Sequence, residues 1–343
     1  MSLRATAEAP ANLAFVKYWG KKDSDLRLPA NNSISVNLSQ ARTITTVDFV
    51  EDLGQDQVFI SGKEIPSDLE FARRVSQHLD RIRKLAGVNF KAIIQTKNSF
   101  PTGVGIASSA SGFAALTVAG CAALHLELSE KEISGLARLG SGSACRSIPD
   151  GFVEWVVEDA DKQSYAVQIA PPDHWEIKIV TVIISKESKE LSSTSGHSLA
   201  VASPFYSTRL AGLDQRLQKV RSAIHDRDFE SFGRETELEA ISFHTIAMTS
   251  SFATAEGWQS GAYYWLPESL ELILAVQSWR KQGLGVYFTL DAGATVHLIC
   301  LQKDLEPLLT AIKEVETRCE CRKWDVLVHA PAIGARIIAE FPG

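Results

Sequence analysis

The run Pro101-Thr-Gly-Val-Gly-Ile-Ala-Ser-Ser-Ala-Ser-Gly112 leads at once into the small-residue helical pattern Phe113 to Leu124, and no other feature constrains the chain as much. Small residues let backbone N–H groups crowd around an anion. A helix starting just behind them adds unpaired N–H groups and the positive end of its dipole. That chemistry suits a phosphate, above all the polyphosphate of a nucleotide. No Gly-Lys-Ser/Thr follows the glycines, and Gly103-x-Gly105-x-x-Ser108 departs from the dinucleotide fingerprint, so neither common nucleotide motif is present. The plainer alternative is a glycine-rich turn ahead of a buried helix.

A chain of 343 residues fits one large domain or two intimately joined ones. Its net charge of −6 argues against nucleic-acid or membrane-surface partners, so any phosphate must be held by locally placed cations. The five cysteines (Cys121, Cys145, Cys300, Cys319, Cys321) are odd in number and scattered, which suggests no disulfide framework. Cys319-x-Cys321 lacks a second metal-spaced pair. With no signal peptide and no apolar run of about 18 residues, a cytoplasmic enzyme is expected.

Alternating apolar patterns predict strands at Thr43–Phe49, Phe90–Thr96, Phe152–Glu158, Tyr165–Ile169, Ile177–Ile184, Gly285–Leu290, Val296–Leu301 and Val326–Ala330. Helical periodicity runs through Pro66–Leu85, Ala110–Leu124, Glu130–Leu139, Pro204–Ile224, Phe229–Met248, Pro267–Gln282 and Leu305–Thr317. Ser129 and Glu132 form a capping box, and Pro267 suits a first helical turn. The order lacks a strict βαβ rhythm, so the expected class is a layered α+β fold. The polar segment Ser185–Ser203 is the softest boundary, dividing the chain into 1–185 and 186–343.

Five further segments carry chemistry. Lys17 closes the apolar stretch Leu13 to Val16, a place where an ammonium needs an anion or must snorkel to solvent. Asn31-Asn32-Ser33-Ile34-Ser35 offers short polar side chains to a site, or a turn before a strand. Gly140-Ser141-Gly142-Ser143-Ala-Cys-Arg146 is a second small-residue turn with an arginine one helical turn beyond it, suited to a carboxylate or phosphate. Ser192-Ser193-Thr194-Ser195-Gly196-His197 repeats that theme. Asp291 follows an apolar strand and precedes Gly293; it either orients a hydroxyl beside a lysine or bonds its own backbone in a turn. Cys145 and the eight histidines show no nucleophile or metal pattern.

Together these segments resemble the mevalonate (di)phosphate decarboxylases of the GHMP kinase superfamily. The carrying residues are Asn12…Lys17-Tyr18-Trp-Gly-Lys21, Asn31-Asn-Ser-Ile-Ser, Pro101-Thr-x-x-Gly-x-Ala-Ser-Ser-Ala, Gly140-Ser-Gly-Ser-Ala-Cys-Arg146, Ser193-Thr194-x-Gly196 and Asp291-Ala-Gly. The resemblance implies the two-lobed GHMP kinase fold with the active site in the cleft. Residues 1–185 would form the ATP-binding lobe, and 186–343 the lobe contributing Asp291.

It further implies that ATP phosphorylates the 3-hydroxyl of a phosphorylated mevalonate, after which phosphate and CO2 leave. Asp291 and Lys17 would be catalytic, and Arg146 would hold the substrate carboxylate. Tyr18, Lys21, Ser141, Gly142, Ser143, Ser193 and Thr194 would line the rest of the substrate site. Gly103, Gly105, Ala107, Ser108 and Ser109 would cradle ATP, with Mg2+ bridging its phosphates beside Ser108. A homodimer is expected on the same ground.

Departures from the diphosphate pattern are Ala294-Thr295 after Asp291-Ala-Gly293, His197, and Thr194 where many bacterial but not eukaryotic members have arginine. With the region Gly257-Trp-Gln-Ser-Gly-Ala-Tyr-Tyr-Trp265 and the loop Asn98-Ser-Phe-Pro-Thr-Gly-Val-Gly they favour the 5-monophosphate and a likeness to phosphomevalonate decarboxylases of Chloroflexi-type bacteria. Lys21 suits a diphosphate. A mevalonate 3-kinase and a non-catalytic sensor on the same scaffold are the rival readings.

Overall fold

The computed structural model describes residues 3–100, 108–158, 163–187, 193–254, 257–318 and 323–340. Its first half contains β1 (Arg4–Val16), β2 (Lys21–Asp23), β3 (Leu28–Pro29), β4 (Ser33–Val50), β5 (Gln57–Ile60), β6 (Lys63–Ile65), α1 (Glu70–Ala86) and β7 (Lys91–Asn98). Then come α2 (Ser108–Ala123), α3 (Glu130–Gly140), a 3-10 turn over Gly142–Ser147, β8 (Phe152–Glu158) and β9 (Gln163–Ala170). The second half holds β10 (Ile177–Ile183), α4 (Ser193–Leu199), α5 (Tyr206–Asp226), α6 (Phe229–Thr249), β11 (Ser251–Thr254) and β12 (Gly257–Ser260). It ends with α7 (Pro267–Lys281), β13 (Val286–Leu290), β14 (Val296–Leu301), α8 (Leu305–Arg318), β15 (Asp325–His329) and β16 (Arg336–Glu340).

Two sheets organise this α+β chain. The larger runs β16-β1-β4-β7-β5-β6, with β8 beside β4 and β9 beside β8; the smaller runs β13-β14-β10-β15. β4 is long enough to have a different outer neighbour at each end, β8 along Ser33–Val36 and β7 along Thr43–Val50. On its other edge β1 pairs along its length, from Arg4 opposite Asp48 to Val16 opposite Ile34. The end of β1 therefore delivers Lys17 to a fixed point beside the start of β4.

The division between sheets does not fall at 185/186. β10 already belongs to the smaller sheet, so the chain changes sheet between β9 and β10, and β16 returns to pair with β1. The physical reason is that β10 is apolar on both faces and is wanted in the middle of its sheet. The described part of the polar stretch after it holds α4, so polarity there does not mark the change of sheet.

α1, α2 and α3 cover one face of the large sheet. α2 is buried nearly all round because its alanines, glycines and serines let β1, β4 and α1 approach closely; a Cβ on Gly120 would sit 3.0 Å from the Ile82 side chain. The α3 start has the expected capping box, Ser129 N–H donating to Glu132 at 2.8 Å. A second core joins the sheets through Phe15, Ile34, Phe152, Ile177, Leu217 and Phe232. A third lies between the smaller sheet and α7 and α8. Among the described residues no helix is long and apolar enough to cross a membrane.

Candidate active site

Lys17 and Asp291, 274 positions apart, meet in this fold. Lys17 Nζ donates to Asp291 Oδ1 at 2.7 Å and to the Ala14 carbonyl at 2.7 Å. The lysine side chain is 4% exposed, whereas Asp291 is 25% exposed and so open to a ligand. Asp291 stands directly after β13, so the smaller sheet aims it at the end of β1. Burial alone would raise its carboxyl, but the Lys17 charge and hydrogen bond, with His297 and Arg146, outweigh that and hold it below the ordinary range. Burial lowers the Lys17 ammonium, and Asp291 opposes that shift. Asp291 both opens a turn, the Gly293 N–H donating to its carbonyl at 2.8 Å, and points its Oδ1 at the lysine.

The backbone of Lys17 is clamped as well. Its N–H donates to Glu239 Oε1 at 3.2 Å, while Arg209 Nη2 donates to its carbonyl at 3.1 Å and to Glu239 at 2.5 Å. Asn31 Nδ2 reaches the same carbonyl at 3.0 Å. Glu239 and Arg209 come from α6 and α5, so the second half of the chain fixes a lysine of the first. Neither was legible in the sequence, where both read as ordinary charges on helices.

Arg146 sits in the 3-10 turn and is 4% exposed. Its Nη1 donates to Ser33 Oγ at 2.7 Å and its Nε to Asn12 Oδ1 at 3.2 Å, with the guanidinium over the Trp155 ring. Asn12 is oriented by donating to the Ser143 carbonyl at 3.1 Å and Ser147 Oγ at 2.8 Å. Among the described residues no protein acceptor meets the second terminal nitrogen of Arg146. Burial lowers this guanidinium, with Asp291 among the opposing groups.

Ser141 caps the end of α3, and its Oγ donates to Ser109 Oγ at 3.3 Å across the first turn of α2. Gly142 lies under Tyr18; a Cβ there would sit 2.8 Å from the ring. Tyr18 packs edge-on against Trp155 at 4.6 Å and beside His197 at 4.1 Å. His197 accepts from the Gly20 N–H at 3.1 Å through Nδ1, and burial, with Lys21 and Arg146 next, lowers its pKa to about 3, so the ring is neutral. Burial, then Arg27 and Arg74, also lowers the Lys21 ammonium. Crowded cations of this kind want an anion between them.

Ser108 and Ser109 open α2, beside a cavity of about 200 Å3 whose walls include Val58, Phe71, Ile94 and Phe113. Gly103, Gly105 and Ala107 lie outside the described residues, and the side chains of Ser193 and Thr194 do too. The backbone of Ser193 and Thr194 begins α4 where a turn was expected. The sequence thus located Lys17, Tyr18, Lys21, Ser141, Gly142, Ser143, Arg146 and Asp291 around one region. Ser33, which accepts from Arg146, lies in the polar run expected to face a site, whereas Trp155, over which the guanidinium sits, was not assigned there.

The diphosphomevalonate decarboxylase-like N-terminal domain matches residues 9–166, and the mevalonate 5-diphosphate decarboxylase C-terminal domain matches residues 179–333. The diphosphomevalonate decarboxylase of Candida albicans is 36% identical over 306 residues, covering 84% of this chain and 82% of that protein. The chain belongs to the mevalonate diphosphate decarboxylase family. Another member, the phosphomevalonate decarboxylase of Haloferax volcanii, is 31% identical over 320 residues, covering 92% of this chain and 94% of its own.

The crystal structure of mevalonate diphosphate decarboxylase from Staphylococcus aureus superposes with a TM-score of 0.88 at 34% identity, over 99% of each chain. A relative solved in complex with MVAPP, AMPPCP and magnesium has the same TM-score at 32% identity, over 99% of this chain and 100% of that one. The architecture is the GHMP kinase fold.

Proposed function

We propose that the chain is an ATP-dependent decarboxylase of (R)-5-phosphomevalonate, giving isopentenyl phosphate, ADP, phosphate and CO2. The carrying observation is the 2.7 Å contact between Lys17 and Asp291 at a partly open point, with Arg146 held nearby. The family's decarboxylases act on phosphorylated mevalonates, and the pair explains how. Asp291 accepts the hydrogen bond of the 3-hydroxyl and aims its oxygen at the terminal phosphoryl. A carboxylate held below its ordinary pKa is a weak base, so it takes the proton only as the new P–O bond forms. Lys17 balances the charge passing from nucleotide to substrate.

Phosphorylation turns the tertiary hydroxyl into a leaving group. Its departure draws the electron pair of the carbon–carboxylate bond toward the forming double bond, and CO2 is released. Arg146, with a terminal nitrogen free of protein acceptors among the described residues, would hold that carboxylate until the bond breaks. Tyr18, Lys21, Ser141, Gly142, Ser143, Ser193 and Thr194 would receive the 5-phosphate side. The cavity beside α2 suits the nucleotide base, with Ser108, Ser109 and the segment of Gly103, Gly105 and Ala107 at the phosphates.

Among the described residues no three His, Cys, Asp or Glu side chains gather as a metal cage. The Ser108 hydroxyl at the start of α2, a hard oxygen donor, suits a Mg2+ carried on the nucleotide, with water supplying further ligands. When bound, the ion neutralises charge on the phosphate oxygens. A homodimer is part of this reading.

The monophosphate is favoured by Thr194, Ala294-Thr295 and His197, whereas the chain has relatives of both kinds, the Haloferax volcanii protein for the monophosphate and the Candida albicans protein for the diphosphate. The diphosphate is the second reading, favoured by Lys21 amid Arg27 and Arg74. The test supplies Mg-ATP with mevalonate, its 5-phosphate or its 5-diphosphate in parallel, following ADP and CO2. Both products with the 5-phosphate are expected. ADP without CO2 would mean a kinase, and neither product a sensor.

A further inference from the structure

We propose that the cavity between α5 and α6 is a second anion site, suited to a small phosphate or phosphate monoester, that lowers turnover by acting on Lys17 through Arg209. The proposal goes beyond the reaction above and uses it only in taking Lys17 as a working group. The cavity, about 240 Å3, is lined by Arg209, Arg216, Thr208, Ser242, Thr245 and Phe205. It thus offers two guanidinium groups, three hydroxyls and an apolar wall.

Three observations point to a ligand. Arg209 is 6% exposed, yet among the described residues its Nε and Nη1 have no hydrogen-bond partner. Buried nitrogens of a charged group left this way call for an acceptor. The ion-pair network around the cavity sets three cations, Arg209, Arg216 and Lys219, against two carboxylates, Glu235 and Glu239. One positive charge is in excess, and an anion would balance it.

Gly212 lines the same cavity inside the 21-residue helix α5, and a Cβ there would meet nothing within 4 Å. An interior glycine weakens a helix by about 1 kcal/mol relative to alanine, and no packing contact requires this one. Its effect is to widen the cavity.

The route to the active site is one residue long. Arg209 Nη2 donates to the Lys17 carbonyl at 3.1 Å and to Glu239, whose Oε1 accepts from the Lys17 N–H. An anion on the free side of Arg209 draws its charge from both partners and loosens the lysine that faces Asp291.

The test is inhibition kinetics with isobutyl phosphate and, separately, inorganic phosphate, using whichever phosphorylated mevalonate the wild type turns over. A failed substrate assignment is therefore kept apart from a failed site. At saturating ATP and phosphorylated mevalonate, the probe is expected to lower kcat at least about fivefold. Gly212→Ala should keep the effect, and Gly212→Phe, which fills the cavity, should abolish it with uninhibited kcat unchanged. Thr245→Trp fills it from α6 should Gly212→Phe fail to fold.

Activity of the ester alone assigns the site to phosphate monoesters; equal activity of both probes assigns it to the phosphate group. Inhibition that either substrate removes completely, or an equal loss in wild type and filled variants, overturns the proposal.

Discussion

Lowering the pH from 7.5 to 5.0 should remove most of the protein's stability, and five histidines with lowered pKa values set the size of the loss. His78, His244, His297 and His329 are at most 1% exposed. Burial lowers the first three to a pKa of about 3 and His329 to about 4. The unfolded chain, with imidazoles near 6.5, therefore takes up protons first as pH falls. The stability is fully present above about 6.5 and is lost progressively toward the folded values.

At pH 5.0 each histidine lies about 1.5 pH units below its unfolded pKa, worth about 2 kcal/mol, so these four account for about 8 kcal/mol and His197, lowered likewise to about 3, adds about 2 more. Folded proteins of ordinary stability have about 5–15 kcal/mol in all. Asp291 contributes in a separate window, because its lowered carboxyl supports the fold above about pH 4 and stops doing so only below it. Urea unfolding at pH 7.5, 6.5, 5.5 and 5.0 measures the slope, expected to approach about 1.4 kcal/mol per pH unit for each histidine. His78→Leu should remove one such increment. A stability at pH 5.0 within about 2 kcal/mol of that at pH 7.5 would refute the reasoning.

Three substitutions test the active site. Asp291→Asn should lower kcat at least about a hundredfold with ATP affinity within about twofold of wild type, measured by turnover and by nucleotide titration; near-normal turnover would remove the carboxylate from the reaction. Arg146→Ala should lower kcat/KM for the phosphorylated mevalonate at least about tenfold while the KM for ATP stays put. Gly142→Ala sets a methyl 2.8 Å from the Tyr18 ring and should raise the KM for the phosphorylated mevalonate more than it lowers kcat, with thermal unfolding as the control for folding.

Much of the fold was readable because its elements keep one face buried. β8 and β14 fall on their predicted ranges, and α3 starts at its capping box. β1 was missed for a physical reason: it is covered on both faces along nearly its whole length, so Ala5, Ala7, Ala9 and Ala11 sit beside equally buried neighbours and no alternation survives. β16 follows the smaller sheet in sequence and pairs far back with β1, a contact that local pattern does not encode.

The active site divides in the same way. Lys17 was marked by its place at the end of an apolar run, whereas Asp291 taken alone resembled a turn residue, and only the resemblance joined them. Glu239 is fully buried, but its burial is created by Arg209 and Arg216, and nothing local on α6 foretells it.

The return of β16 to the edge of β1 gives the chain two covalent crossings between its sheets, at residues 171–176 and 330–335. A body tied at one point can swivel; a body tied at two can only swing about the line that joins them. Lys17 and Asp291, carried by different sheets, thereby owe their register to two chain connections as well as to the core that Phe15, Ile34, Ile177 and Phe232 share.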